Sequence, residues 1–135
     1  MPEKVVLVVD DDENLLRALS MRLKAGGYTV FAAMDGMQAV MMSHKREPDL
    51  IILDIRMPGG SGITVMDKLR SSIKTRSIPV IVVTAFDDDE TKQKVSELGA
   101  FRYFRKPFDT NELMKAVEEA FAEEAPSQGG AETAT

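Results

Sequence analysis

The sequence predicts a single α/β domain: a doubly wound parallel sheet of five strands with five helices packed on its two faces. Three observations support this fold class. Short runs rich in β-branched residues alternate with segments of helical periodicity along the chain as far as Phe121. Three of these runs are almost continuously apolar, which is typical of strands covered on both faces. The segments between consecutive runs are long enough for the crossovers that parallel strands require.

Each element can be assigned in order along the chain. The predicted strands occupy residues 5–9, 28–32, 50–54, 80–84 and 102–104, and the first, third and fourth of them show almost no alternation. Between the strands, apolar residues recur at helical spacing. They are Leu15, Leu16, Leu19 and Leu23 in the first helix, Met37, Val40 and Met41 in the second, Ile63, Met66, Leu69 and Ile73 in the third, and Leu113, Met114, Val117, Ala120 and Phe121 in the fifth.

The ends of two helices are indicated by their flanking residues. Gly26 and Gly27 are expected to end the first helix, because glycine accepts the backbone conformation found at helix C-termini. Asp109 or Thr110 is expected to cap the N-terminus of the last helix with its side-chain oxygen.

The fourth predicted helix, residues 88–98, differs from the others in its apolar stripe. Only Val95 and Leu98, helped by Thr91, lie at positions that could face a core. A helix with so few apolar contacts is expected to be weakly held and able to move.

The composition limits the class of protein. A chain of 135 residues with 44% hydrophobic and 29% charged residues suits one globular domain. The net charge of −5 argues against nonspecific binding to nucleic acid or to anionic membranes. The absence of cysteine excludes disulfides and thiolate chemistry, and fits a cytoplasmic protein. We expect neither a signal peptide nor a membrane-spanning segment.

The composition changes after Phe121. The segment AEEAPSQGGAETAT has no apolar periodicity and is typical of a disordered chain. We therefore predict a folded domain over residues 1–123 and a flexible tail, or the start of a linker, over residues 124–135.

Four of the five predicted strands carry a polar functional group at the carboxyl end. Asp10 and Asp11 follow the first strand, Asp54 ends the third, Thr84 ends the fourth, and Lys106 follows the fifth. Ligands of open parallel sheets bind outside the carboxyl ends of the strands. These side chains are therefore expected to lie together at one rim of the sheet.

The three aspartates at this rim predict a magnesium site. Carboxylates that lie close together raise one another's pKa unless a cation lies among them. Magnesium prefers oxygen ligands, keeps several waters and uses one or two carboxylates. We expect Asp11 and Asp54 to bind the ion directly and Asp10 to act through water. Asp12 and Glu13 are explained as acidic residues at the start of a helix.

A carboxylate beside a divalent cation can be a nucleophile in phosphoryl transfer. The sequence contains neither of the glycine-rich phosphate-binding motifs of nucleotide sites. Magnesium and Lys106 could neutralise the charge on the transferred phosphoryl group, and the Thr84 hydroxyl could donate a hydrogen bond to it.

The ordered set of motifs resembles the receiver domain of two-component response regulators. The similarity runs from Lys4 to about Phe121 and is carried by VVDDDEN, LDIRMPGGSG, VTA and KPF. It implies a flavodoxin-like fold with strand order 2-1-3-4-5. It also implies that Asp54 accepts a phosphoryl group from phosphohistidine on a sensor histidine kinase or a histidine phosphotransfer protein. The resulting change would switch the surface formed by helix 4, strand 5 and helix 5.

The same resemblance implies a role for each site residue. Asp54 would be the phosphorylated residue, Thr84 and Lys106 would act on the phosphoryl group, and Thr84 and Tyr103 would form the switch. The Lys106–Pro107 peptide bond is expected to be cis. The ligands of magnesium would be Asp10, Asp11, Asp54 and the backbone carbonyl of Arg56. Phe86, two residues after Thr84, cannot position a water by hydrogen bonding and predicts slow loss of the phosphate.

Two other functions remain open from the sequence. The pair Asp10 and Asp12 has the spacing of the haloacid dehalogenase type of magnesium phosphohydrolase, although Asn14 stands where that class usually has threonine or valine. The chain could also be a scaffold with a vestigial site.

Overall fold

The structure is a computed structural model that describes residues 3–56, 62–85 and 88–124. Strands and helices alternate along the described chain. The elements are β1 (Val5–Val9), α1 (Glu13–Ala25), β2 (Thr29–Ala33), α2 (Gly36–Arg46), β3 (Leu50–Leu53), α3 (Gly62–Arg70), β4 (Val80–Thr84), α4 (Asp89–Glu97), β5 (Arg102–Arg105) and α5 (Thr110–Glu124).

The five strands form one parallel sheet with the order β2-β1-β3-β4-β5. The predicted fold class and strand order are therefore confirmed. Successive side chains of β1 point to opposite faces of the sheet, so Val6 and Val8 join one core while Leu7 and Val9 join the other. The first core includes residues of α1 and α5, and the second includes residues of α2, α3 and α4. Burial on both faces explains the apolar runs of the central strands.

The predicted apolar stripe of α2 is wrong at Met37 and Met41, although Val40 packs against the second core. Met37 and Met41 are 76% and 57% exposed, whereas the buried face of the helix consists of Gly36, Ala39 and Ser43. These small side chains leave little room between α2 and its neighbours, and the buried Ser43 hydroxyl donates a hydrogen bond to the Ala39 carbonyl at 2.7 Å. Hydrophobicity alone points to the methionines, since small residues carry a weak apolar signal.

The predicted stripe of α3 also includes one wrong residue, because α3 ends at Arg70 and Ile73 is 82% exposed. The chain folds back on the helix end. The buried Thr75 hydroxyl donates to the Leu69 carbonyl at 2.7 Å, and the Arg70 guanidinium donates to the Ile78 carbonyl at 2.9 Å. The bond from Thr75 satisfies a carbonyl at the end of α3 that a longer helix would have paired internally.

The thin core face predicted for α4 is confirmed, since Thr91 and Val95 are its buried residues. Asp88 caps the helix by accepting hydrogen bonds from the Thr91 amide at 2.7 Å and the Thr91 hydroxyl at 3.0 Å. At the other end, Arg70 donates to the Leu98 carbonyl at 2.8 Å. The motion expected of α4 stays a prediction.

The predicted helix ends agree with the structure. Gly26 is the C-cap of α1 and Gly27 has a positive φ of 96°. The Asp109 carboxylate accepts from the amides of Asn111 and Glu112, so Asp109 rather than Thr110 supplies the capping side chain of α5. None of the helices in the described ranges is long and apolar enough to span a membrane. Phe86 and residues 125–135 of the tail predicted over residues 124–135 lie outside the described residues.

Candidate functional site

The carboxyl ends of four neighbouring strands bring the predicted polar residues to one rim. Asp54 lies at the centre because β3 runs between β1 and β4. Backbone hydrogen bonds hold two of these residues in place. The Asp54 amide donates to the Val9 carbonyl at 2.9 Å, and the Lys106 amide donates to the Thr84 carbonyl at 2.8 Å. The rim is therefore an extension of the sheet itself, which makes its geometry rigid.

Lys106 joins two of the carboxylates. Its ammonium lies 2.7 Å from Asp10 Oδ2 and 3.1 Å from Asp54 Oδ2. Asp10 and Asp54 are only 1% and 4% exposed, while the Lys106 side chain is 21% exposed. Two buried carboxylates thus share one cation that reaches them from the solvent side. The Lys106–Pro107 peptide bond is cis, as the sequence predicts.

The third carboxylate completes an acidic cluster. One carboxylate oxygen from each of Asp10, Asp11 and Asp54 lies within 4.8 Å of the others, and Asp11 is exposed. Three carboxylates outweigh the single ammonium of Lys106, so the cluster has excess negative charge. Carboxylate oxygens, one of them on the exposed Asp11, are a donor set that suits Mg²⁺, an ion that also keeps several waters.

The pKa directions agree with this excess of negative charge. Burial raises the pKa of the Asp10 carboxyl, and the nearby charge of Asp54 adds to this effect, although the hydrogen bond from Lys106 opposes it. Burial by itself lowers the pKa of the Lys106 ammonium, but the hydrogen bond to Asp10 and the charges of both carboxylates outweigh it and raise the pKa. An additional cation would relieve the energetic cost of holding Asp10 ionised.

Asp54 is oriented from both sides. Lys106 binds its Oδ2, and the Arg56 amide donates to its Oδ1 at 3.1 Å. The Arg56 side chain is exposed. The predicted role of the Arg56 carbonyl as a metal ligand stays a prediction.

Asp12 lies apart from the cluster. Its Oδ1 accepts hydrogen bonds from the amides of Asn14 and Leu15 at 3.0 and 3.2 Å, so it caps α1 as the sequence predicts. Its own amide donates to Asp10 Oδ1 at 2.9 Å. Because Asp12 is occupied with the helix end while Asp10 faces Asp54, the geometry disfavours a hydrolase that pairs Asp10 with Asp12.

Thr84 and Tyr103 lie on adjacent strands. Thr84 is fully buried, and Tyr103 is half-buried beside Val82 in the β4–β5 register. The ammonium of Lys92 on α4 lies 5.8 Å from the centroid of the Tyr103 ring, within reach of a cation–π interaction. The sequence alone does not identify Lys92. Its position three residues before Val95 places it on the same side of α4, which is the feature of the sequence that could have indicated this contact.

Comparison with known families decides the class of protein. The family described as the response regulator receiver domain matches residues 6–118 of the chain. The chain belongs to this family. Among solved structures, this receiver domain is similar to a putative response regulator from Chloroflexus aurantiacus J-10-fl, with 33% identity over 90% of this chain and 99% of that one, at a TM-score of 0.82.

Two further structures support the assignment. The chemotaxis response regulator CheY4 of Vibrio cholerae has 29% identity to this receiver domain, with 88% of this chain and 99% of that one covered, at a TM-score of 0.81. The non-phosphorylated HemR receiver domain from Leptospira biflexa has 26% identity, with 96% and 100% covered, at a TM-score of 0.83. Receiver domains bind Mg²⁺ through acidic residues, and the Asp10, Asp11 and Asp54 cluster is of this kind.

Proposed function

We propose that this receiver domain is a phosphorylation switch in which Asp54 accepts a phosphoryl group from phosphohistidine on a sensor histidine kinase or a histidine phosphotransfer protein. The observation that carries the proposal is the position of Asp54. Its carboxylate is almost fully buried, 3.1 Å from the Lys106 ammonium, in a cluster with Asp10 and Asp11. A buried nucleophile flanked by a cation and by further metal-ligating oxygens suits phosphoryl transfer.

The chemistry follows from the charges around Asp54. A carboxylate oxygen of Asp54 attacks phosphorus, an O–P bond forms, and the P–N bond to the donor imidazole breaks, leaving its electron pair on nitrogen. Asp11, Asp54 and the Arg56 carbonyl, with Asp10 through water, would hold Mg²⁺, which would supply positive charge beside the phosphoryl oxygens. Lys106 then follows the charge from the carboxylate to the phosphoryl group, and the Thr84 hydroxyl donates to a phosphoryl oxygen.

The surface beside Lys106 supports access by a protein donor. A groove of about 470 Å³ opens there, with Leu15, Pro107 and Phe108 among its lining residues. Its apolar lining next to a cation suits a partner that brings a charged phosphoryl group on an apolar helix or loop. His44, the one histidine in the sequence, lies on α2 with its ring within hydrogen-bond distance of the Val40 carbonyl and the Ser72 hydroxyl, so we propose that the donor histidine lies outside this sequence. The proposed location of this exchange is the cytoplasm.

A small phosphodonor tests the proposal directly. Incubation of the protein with acetyl phosphate and Mg²⁺ is expected to add one phosphoryl group, measured as intact mass, and a chelator is expected to suppress this addition. The acetyl phosphate arm without Mg²⁺ serves as the control for nonspecific acylation. Absence of any adduct with Mg²⁺ and with a panel of phosphorylated histidine proteins would favour the vestigial scaffold. Steady release of inorganic phosphate without a covalent adduct on Asp54 would favour a hydrolase.

The proposed switch predicts a separation between phosphorylation and its consequence. Thr84→Ala is expected to keep phosphoryl uptake by Asp54 but to lose the conformational change of the surface formed by α4, β5 and α5. The reason is that no hydroxyl remains to move toward the phosphoryl group. The measurement compares amide chemical shifts around Tyr103 before and after phosphorylation. Thr84→Ser keeps the hydroxyl and is the matched control, in which the conformational change should persist. Equal chemical-shift responses in both variants would contradict the switch role of Thr84.

A further inference from the structure

Gly62, the first residue of α3, lies in contact with the backbone that carries Asp54. A Cβ atom at this position would lie 2.6 Å from Ile55 Cα and 2.8 Å from the Asp54 carbonyl oxygen, and 2.9 Å from Ile55 Cδ1. The Gly62 amide donates a hydrogen bond of 2.7 Å to the Ile55 carbonyl. The two closest contacts involve backbone atoms, so no change of rotamer could relieve them. The start of α3 is therefore packed directly on the peptide that follows β3.

The other glycines with characterised surroundings serve different purposes. Gly27 and Gly99 have φ angles of 96° and 81°, and their missing side chains would meet nothing nearer than 3.9 Å. At Gly26 the nearest atom to a Cβ is 3.3 Å away. Gly27 and Gly99 are thus explained by backbone conformation. Gly62 is explained by close approach to residues 54 and 55.

We propose that Gly62 is a positioning residue of the phosphoacceptor site. Its missing side chain lets α3 hold the peptide of Asp54 and Ile55 in the place where the Asp54 carboxylate meets its partners. This inference rests on the proposed function, since it concerns the geometry of the proposed acceptor and metal ligands.

The packing at Gly62 matters because the hydrogen bonds of the Asp54 carboxylate tolerate little displacement of the backbone. Asp54 Oδ1 accepts a hydrogen bond from the Arg56 amide and Oδ2 accepts one from Lys106, each at 3.1 Å. A Cβ atom essentially never lies within 3.0 Å of a heavy atom to which it is not bonded, so a methyl group at position 62 must push this backbone and the start of α3 apart by several tenths of an ångström. Hydrogen bonds weaken steeply at longer distances and poorer angles. The displacement would disturb both bonds and the direction of the Arg56 carbonyl.

Comparison of two glycine variants separates positioning from stability. Gly62→Ala is expected to raise the dissociation constant for Mg²⁺ by about tenfold, as supporting residues of metal sites commonly do, and to slow phosphoryl uptake at saturating Mg²⁺. Gly99→Ala strains a residue with positive φ near Arg70 and should lower the unfolding midpoint without changing Mg²⁺ affinity. The measurements are titration calorimetry with Mg²⁺, acetyl phosphate uptake and chemical unfolding, all on the full chain.

A second measurement uses the wild-type protein and does not depend on the variant folding. The Gly62 amide is expected to be protected from hydrogen exchange, with protection that increases at least severalfold on addition of Mg²⁺, because coupling between two sites is reciprocal. Two results would overturn the positioning role alone. One is a folded Gly62→Ala protein with wild-type Mg²⁺ affinity and wild-type phosphoryl uptake, and the other is a Gly62 amide whose exchange rate does not change with Mg²⁺. Wild-type protein that neither binds Mg²⁺ nor takes up a phosphoryl group would overturn the proposed function with it.

Discussion

Asp54→Asn is expected to abolish phosphoryl uptake, with no adduct detectable by intact mass under conditions that fully convert the wild type. The amide of asparagine keeps the size of the side chain but has no anionic oxygen to attack phosphorus. It also removes one of the charges that the cluster offers to Mg²⁺. The variant should remain folded, because the buried carboxylate is replaced by a neutral group of the same shape at the end of a fully buried strand.

Asp12→Asn is the matched control for this prediction. Asp12 lies two residues after Asp10, but its carboxylate caps α1. Asparagine caps helices about as well as aspartate, so both stability and phosphoryl uptake should persist. An adduct that survives in Asp54→Asn and is lost in Asp10→Asn would instead point to a hydrolase that uses Asp10 as its nucleophile. Loss of uptake in both Asp54→Asn and Asp12→Asn would indicate that acidic charge at the rim, rather than a particular nucleophile, governs the reaction.

The arrangement of the site could be predicted because it depends on the topology of the sheet. The carboxyl ends of parallel strands meet at one rim, so the position of each polar residue along its strand was sufficient to bring Asp10, Asp54, Thr84 and Lys106 together. The sequence could not provide the contacts between them. That the Lys106 ammonium bonds to both Asp10 and Asp54 became evident only from the structure.

The wrong prediction for α2 has a clear physical cause. Apolar periodicity identifies a buried face when large side chains fill it, but α2 is buried through Gly36, Ala39 and Ser43, and its methionines Met37 and Met41 face solvent. Close packing can be achieved by small residues as well as by large ones. Gly62 is a further small residue that close packing requires, and only the structure reveals the backbone against which it packs.

The charge of Asp10 is expected to lower the stability of the folded protein and to favour the binding of a cation. It is 1% exposed, and burial raises its pKa even though Lys106 lies 2.7 Å away. A carboxyl group whose pKa is raised in the folded state destabilises the fold once the unfolded chain has released its proton. The cost is absent below the ordinary value of 3.8, grows as the pH rises toward the raised pKa, and is then fully present. At neutral pH the apo protein therefore bears this cost, which binding of a cation would offset.

Asp10→Asn should consequently give a more stable apo protein that binds Mg²⁺ more weakly. We expect a gain of about 1 kcal/mol in the free energy of unfolding at pH 7, typical of functional sites that trade stability for activity. We expect a loss of about 10- to 100-fold in Mg²⁺ affinity, typical of a residue that supports direct metal ligands. Urea unfolding at several pH values, with and without Mg²⁺, measures both effects, and the stability gain should vanish as the pH falls to the ordinary aspartate value. If the variant is instead less stable than wild type at pH 7, the ion pair with Lys106 outweighs the cost of burial, and the apo site is already electrostatically satisfied.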